Sequence, residues 1–377
     1  MENNELKNQI YQIIKEKGKI TFAEFMDMAL YYPELGYYQK ENPFGEQGSF
    51  YTSVNASSSF GRSIASGFAE VFQSTKIDYN ICEMGAGSGL LAKDILDFYE
   101  KELPDLYEKI NYTIIEKSNY LISRQKEILK NHLKNNKVNW TDFNAFRDFN
   151  GIFFSNELVD AFPVHRIINI GGEYKELFVI EHNGRFEFYP DTFSTEKLQE
   201  YINNMKIRLT DKQIADINLH ATDWIEELGE KINKGLVFTI DYGFDAKQLF
   251  SNFRMDGTVT CYFKHTQNND FFERIGFQDI TAFVDFSALE FYGKKSKLDT
   301  VCFIPQWLFL IQSGILQEME EAQTDLQRTS IKSLIIPEGG FGTNFHVLIQ
   351  SKNIAIHEDF IYKKSSFDTF DMLSRMF

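Results

Sequence analysis

From Ile77 onward, short apolar runs of strand length alternate with stretches whose apolar residues recur at helical spacing. That alternation predicts a doubly wound α/β architecture, a parallel sheet with right-handed helical crossovers. The predicted order is strand Tyr79 to Met84, a helix from Leu90 to Glu100, strand Tyr112 to Glu116, a helix through Leu133, then strands Lys137 to Trp140 and Gly151 to Ser155. Leu236 to Ile240 returns to a buried strand, closed by Asp241-Tyr242-Gly243.

The pattern between these runs is of another kind. Gly171-Gly172 and Asn183-Gly184 separate runs rich in Ile, Val and Phe, which predicts an antiparallel hairpin or meander over 164–189. Two helices are expected next, the second opened by Thr210-Asp211-Lys212-Gln213 and ending near Gly235. Residues 171–234 therefore read as an inserted α+β subdomain. Ahead of the sheet, 1–76 read as a helical region: Thr21-Phe22-Ala23-Glu24 has capping-box spacing, a loop follows from Gly36 to Ser53, and a helix from Ser58 to Phe72. The core is then expected over 77–170 and 235–352, with an edge strand Phe277 to Phe286, a short helix Pro305 to Gln312 and a last strand Phe345 to Ile349. Residues 353–377 read as a loosely held tail.

Composition narrows the class. A chain of 377 residues with 43% hydrophobic content and 37 phenylalanines can bury a large core. Its net charge of −15, from 39 basic and 54 acidic residues, disfavours nucleic acid and suits a cationic partner. Cys82, Cys261 and Cys302 are odd in number and far apart, and no His or Cys pair has zinc-ligand spacing, so neither disulfides nor a metal are expected. No apolar run is long enough to span a membrane. The N-terminus, Met1 to Glu5, has no signal or transit pattern, and a cytosolic location is expected.

Strand Tyr79 to Met84 runs into Glu83-Met84-Gly85-Ala86-Gly87-Ser88-Gly89, a turn suited to close backbone approach by a nucleotide-like ligand at a helix N-terminus. Dinucleotide sites prefer Gly-x-Gly-x-x-Gly with an acid about 20 residues further on. Here the spacing is Gly-x-Gly-x-Gly, with Glu83 two residues ahead and Glu116 closing the next strand. That pattern points to S-adenosyl-L-methionine (SAM): Glu83 offsets the ammonium and Glu116 accepts the ribose hydroxyls. Gly85, Ala86, Gly87 and Gly89 form the cradle.

Beyond that loop, the chain resembles the MidA family of SAM-dependent methyltransferases over nearly its whole length. The segments that carry the resemblance are Phe25 to Tyr38, Phe44 to Ser53, Glu83 to Leu96 and Ser155 to Arg166, with weaker likeness in Gly276 to Phe286 and Gly339 to Leu348. It departs where the family has Gly-Asp-Phe and this chain has Gly48-Ser49-Phe50, and at Val54-Asn55 in place of Pro-Glu. The resemblance implies a seven-stranded Rossmann-like methyltransferase sheet, a SAM site, an amino-terminal loop folded over the cofactor, and an arginine acceptor on a protein partner. By the same likeness that partner is a respiratory complex I subunit. A homodimer is compatible with the sequence.

Within this frame Asn156, Glu157 and Asp160 are the candidate catalytic residues. They follow a strand end, and in a helical turn Glu157 and Asp160 would share a face and grip one guanidinium, which arrives charged at neutral pH. The alternative is that Asp160 caps a helix and Glu157 is a solvated first-turn acid. Trp140 and Asp142 are expected at the adenine, and Tyr51, Thr52 and Ser53 in a lid on the cofactor. Asp241, Tyr242 and His265 are expected to line the acceptor site. Competing functions are methylation of a small molecule or RNA, and an assembly factor that keeps the fold without turnover.

Overall fold

Residues 4–39, 57–264, 266–336 and 344–363 are described by a computed structural model of the chain. They divide into two units, each assembled from three chain segments. The sheet unit comprises Thr52–Leu158, Glu227–Asp241 and Gly293–Phe377; the mixed unit comprises Met1–Tyr51, Val159–Glu226 and Tyr242–Tyr292. These divisions differ from the boundaries at 76, 170, 234 and 352 read from the sequence.

Seven strands form the path of the sheet among the described residues, with the short strand Val284–Asp285 pairing beside it: β1 (Asn80–Met84), β2 (Asn111–Ile115), β3 (Val138–Thr141), β4 (Phe149–Asn156), β5 (Ile232–Phe244), β6 (Asp299–Pro305) and β7 (Phe345–Lys352). Their spatial order is β6-β7-β5-β4-β1-β2-β3. Pairing is parallel from β3 through β2, β1 and β4 to β5, while β6 and β7 are antiparallel. From β1 the chain winds outward first to β2 and β3, then returns to β4 on the other side. The switch point therefore lies between β1 and β4, where open sheets of this kind bind ligands outside the carboxyl ends of their strands.

Apolar residues at helical spacing on Ser58–Thr75 and Leu90–Glu102 cover the sheet. Phe60, Ile64, Phe68, Leu91 and Ile95 are fully or almost fully buried, and Phe68 meets Phe154 of β4 and Phe238 of β5 at ring distances of 5.3 and 5.0 Å. Each such side chain contributes about 1.5–3 kcal/mol by burial. The expected loose tail is corrected as far as Lys363. Phe360 and Tyr362 are buried in this same core, and the Tyr362 hydroxyl lies 2.9 Å from Ser313 Oγ.

In the mixed unit the expected antiparallel meander is present as His165–Ile170, Glu173–His182 and Arg185–Asp191. Ile20–Thr21 extends it at one edge and Ile214–Ile217 at the other. The Thr21 capping box forms and starts the helix Phe22–Tyr31. The corresponding signal at Thr210 does not start a helix. Its Gln213 side chain accepts from the Thr210 backbone within a tight turn, the chain enters the strand Ile214–Ile217, and the helix runs Leu219–Lys231. Phe277 to Phe286 is likewise not one edge strand: Asp279–Thr281 pairs with Thr260–Phe263, Val284–Asp285 pairs with the end of β5, and a helix begins at Phe286. Among the described residues no helix is long and apolar enough to cross a membrane.

Candidate functional site

The glycine loop leaves β1 with Gly85, Gly87 and Gly89 at φ +78°, +51° and +86°. Positive φ at successive alternate positions turns the backbone out of the strand and into the helix Leu90–Glu102. The loop is pinned by Gly85 N–H to Ile115 O at 3.0 Å and Gly89 N–H to Ala86 O at 2.8 Å. A Cβ on Gly85 would lie 2.8 Å from Leu158 Cδ1, so the cradle is filled from behind by this leucine. Gly89 caps the helix without a side chain, leaving the first-turn N–H groups to a ligand.

Glu116 follows β2. One of its oxygens accepts from the Lys117 and Ser118 N–H groups at 2.8 and 2.9 Å. Burial pushes its carboxyl above the usual range, against these hydrogen bonds. Its other oxygen accepts from Gln125 Nε2 at 3.3 Å. Gln125 is fully buried, and the same nitrogen donates to Gly87 O at 2.9 Å while its Oε1 accepts from the Trp140 indole at 2.8 Å. One amide thus ties together the glycine loop, the acid after β2 and the aromatic at β3. Gln125 belongs to no motif. Its only sequence signal is a polar residue four positions after Leu121, on the buried stripe of Asn119–Ile128. Gln125→Ala is expected to weaken SAM binding about tenfold, or about 1.4 kcal/mol, by calorimetry; unchanged affinity would refute the tie.

Glu83 is 2% exposed and accepts from the Tyr112 hydroxyl at 2.6 Å. Burial, with a smaller contribution from the Glu116 charge, pushes its carboxyl up to about 7 despite that hydrogen bond. Asp142 is exposed and gives one oxygen to the Ala145 N–H at 2.9 Å, the pattern of a turn cap.

At the end of β4 the structure corrects one expectation. Glu157 has φ +52° and lies before the single 3-10 turn Val159–Ala161, so Glu157 and Asp160 do not share a helical face. A non-glycine residue in this region costs of order 1 kcal/mol and must be held by its neighbours. Glu157 N–H donates to Ile240 O at 3.0 Å, and Leu158 N–H donates to Asp241 Oδ2 at 3.2 Å. Asn156 Nδ2 donates to Glu157 Oε1 at 3.3 Å, while Asn156 Oδ1 is buried without a hydrogen-bond partner. Through Leu158 and Asp241 the ends of β4 and β5 are thus brought to the glycine loop of β1.

Asp160 and Tyr242 belong to the mixed unit. Asp160 is 5% exposed, and Tyr242 stacks on Phe283 with ring centroids 6.3 Å apart. Tyr51, Thr52, Ser53 and His265 lie outside the described residues, as does the candidate lid. Asp97, Glu100 and His132 bring ligand-type atoms within 4.8 Å of one another. Lys93 neutralises Asp97, and Tyr107 holds the other His132 ring nitrogen at 2.8 Å, so this cluster is a hydrogen-bonded brace.

A glycine cradle backed by Leu158, an acid after β2, a free helix N-terminus and an orphaned buried side-chain amide oxygen fit SAM at the switch point of the sheet. The protein is a SAM-dependent methyltransferase. The model of a family of S-adenosyl-L-methionine-dependent methyltransferases, Methyltransf_28, matches residues 63–304, and the chain belongs to that family. It is similar to the protein arginine methyltransferase NDUFAF7, mitochondrial, of Homo sapiens, with 26% identity over 82% of this chain and 73% of that protein. The Danio rerio relative of the same name is 27% identical, over 84% of this chain and 78% of that protein. Among solved structures, a COG1565 superfamily member from Burkholderia thailandensis bound to S-adenosyl-homocysteine has a TM-score of 0.86 at 26% identity, over 95% of this chain and 94% of that one.

Proposed function

We propose that the enzyme methylates an arginine side chain of a protein partner. The observation that carries this reading is Glu157, a carboxylate held at φ +52° by the ends of β4 and β5 beside the Leu158 wall of the cofactor loop. Backbone strain stored at a strand end is a mark of a working position. The names of the relatives support arginine as the acceptor.

SAM supplies an electrophilic methyl group on a sulfonium, and transfer to a guanidinium nitrogen releases a proton to water. The protein's part is positioning and charge. Glu157 localises the positive charge of the acceptor and orients one nitrogen toward the incoming methyl, and Asn156, hydrogen-bonded to it, fixes its rotamer. Gln125 holds Glu116 ready for the ribose. The glycine loop gives the cofactor its backbone contacts, and Leu158 keeps that loop from relaxing inward.

A respiratory complex I subunit is the proposed partner, by the MidA resemblance. The proposed location is a reducing compartment, the cytosol, which suits three unpaired cysteines. Tritium transfer from labelled SAM to protein in a lysate, with the product residue identified by mass spectrometry, tests the reading. Glu157→Gln is expected to lower kcat by about 100-fold, the scale of a lost electrostatic contact in a transition state, with SAM affinity retained. Label found only on residues other than arginine would overturn it.

A further inference from the structure

The mixed unit contains a buried acid that its described residues leave without a counter-charge. Asp279 is 5% exposed. One of its oxygens accepts from the Tyr38 hydroxyl and from the Ile280 N–H, both at 2.9 Å. Among the described residues its other oxygen has no hydrogen-bond partner, and no Lys, Arg or His lies within ion-pair distance of it. Buried acids in proteins are normally paired or committed to a structural task, because stripping a carboxylate of water costs several kcal/mol or more.

Three other buried acids of this unit follow that rule. Asp216 takes the Arg166 Nε at 2.9 Å, Glu176 takes His165 Nδ1 at 2.7 Å, and Asp285 takes the Tyr201 hydroxyl and the Ala288 N–H at the start of a helix. Arg166 also lies against the faces of Phe22, Phe188 and Phe271, at 5.5, 5.4 and 4.8 Å from their centroids. A guanidinium held by one carboxylate between aromatic rings is therefore a geometry this unit already builds for its own arginine.

Around Asp279 the same elements recur without the arginine. Tyr262 stands directly opposite Asp279 in the antiparallel pair of Thr260–Phe263 with Asp279–Thr281, so the two side chains share a face. Tyr38 stacks on Tyr31 with centroids 5.5 Å apart. The turn carrying Asp160 is fastened to both neighbours, since Asp160 O accepts from the Ala282 N–H at 2.9 Å and Ala161 O accepts from the Tyr31 hydroxyl at 2.9 Å. Burial first, and then the charges of Asp279 and Asp160, push the Tyr38 phenol well above its ordinary range; burial and the same two acids raise Tyr262. The two carboxylates and the rings thus sit within electrostatic reach of one another. Burial pushes Asp279 up to about 6, which leaves it mostly ionised above neutral pH.

We propose that Asp279 and Asp160, with the rings of Tyr38 and Tyr262, form a guanidinium-binding subsite that recognises the arginine side chain of the acceptor. The inference rests on the arginine reading above and adds the residues that select it. A planar cation completes the free Asp279 oxygen as Arg166 completes Asp216, and aromatic faces favour the weakly hydrated guanidinium over the strongly hydrated ammonium of lysine.

The test uses the full chain saturated with S-adenosyl-homocysteine and two peptides, acetyl-Gly-Arg-Gly amide and its uncharged citrulline counterpart. Saturation-transfer NMR, which reads millimolar binding, is expected to detect the arginine peptide and not the citrulline one. Asp279→Asn keeps the acceptor oxygen for Tyr38 and Ile280, and should weaken arginine binding at least tenfold with SAM affinity unchanged. Tyr262→Leu, at a half-buried position, should weaken it three- to tenfold and carries the test if the first variant fails to fold. Equal binding of both peptides, or wild-type affinity in the folded variants, overturns the subsite. Binding is read without turnover, so arginine methylation with unaltered affinity in the variants sinks the subsite alone. Arginine-selective binding without arginine methylation sinks the functional reading alone.

Discussion

Gly85→Ala should lose SAM binding by about 100-fold, or about 2.7 kcal/mol, while the protein remains folded. Two costs fall on the same methyl group. At φ +78° an L-residue is strained by about 1–2 kcal/mol, and the added Cβ would lie 2.8 Å from Leu158 Cδ1. The Leu158 backbone is held, its own N–H bonded to Asp241 and the preceding residue's N–H to Ile240. Relief of the contact therefore comes from turning the Leu158 Cδ1 aside or from moving the loop toward the ligand, into the space the cofactor needs. A paired variant, Gly85→Ala with Leu158→Ala, removes the clash and keeps the strain. It should recover roughly half of the lost free energy, on the premise that the two costs are similar. Calorimetric affinities for both variants check this, and equal affinity of Gly85→Ala and wild type would refute the cradle.

The second large effect is on stability against pH. Glu83 has its folded carboxyl pushed up to about 7 from an ordinary 4.5, so the native state favours the protonated form. The sign comes from linkage: between these two values the folded protein binds more protons than the unfolded chain, and stability falls as pH rises. Below about 4.5 the full benefit of the protonated form is present, and above about 7 it is gone, a loss of about 3 kcal/mol at 1.36 kcal/mol per unit. Glu83→Gln removes the titration and keeps an acceptor for Tyr112. Relative to wild type it should gain up to about 3 kcal/mol between pH 4.5 and 8.5 in urea denaturation of the ligand-free protein. A difference between the two proteins that does not vary with pH would refute the assignment. Bound SAM, whose ammonium favours the ionised acid, should stabilise the wild type more at pH 8 than at pH 5.

The sheet was legible because β1, β2 and β4 bury continuous apolar runs and end in acids or glycines, and the Gly-Gly and Asn-Gly turns announced the meander. Thr210 to Gln213 misled because a four-residue turn closed by a glutamine side chain has the same spacing as a helix cap. Pairing at a distance decides between the two, and Ile214-Ala215-Asp216-Ile217 pairs with His165–Ile168. The stretch Phe277 to Phe286 alternates like one strand, yet it serves two different partners in space. The strain at Glu157 was invisible for a related reason: nothing local favours φ +52°, and hydrogen bonds to residues more than 80 positions away fix the backbone there. Tyr362 was read as part of a tail because its partners, Ser313 and the core around Phe309, are distant in sequence. In the sequence Asp279 is one more polar position of the alternating stretch Phe277 to Phe286. Its lack of a counter-charge is a property of three segments at once.

The interleaving of the two units sets a schedule for synthesis. The apolar faces of Leu6, Ile10, Phe22, Phe25 and Met26 are completed by Val164, Val179, Phe186, Val259 and Ile280. Roughly 240 residues separate the end of the first segment from the end of the last one in that unit, and at about 5–20 residues per second a ribosome needs about 12–50 s to supply them. For that interval the amino-terminal helices carry an uncovered phenylalanine surface, so the nascent chain should be a strong client of ribosome-associated chaperones and should be recovered poorly when translation outruns them.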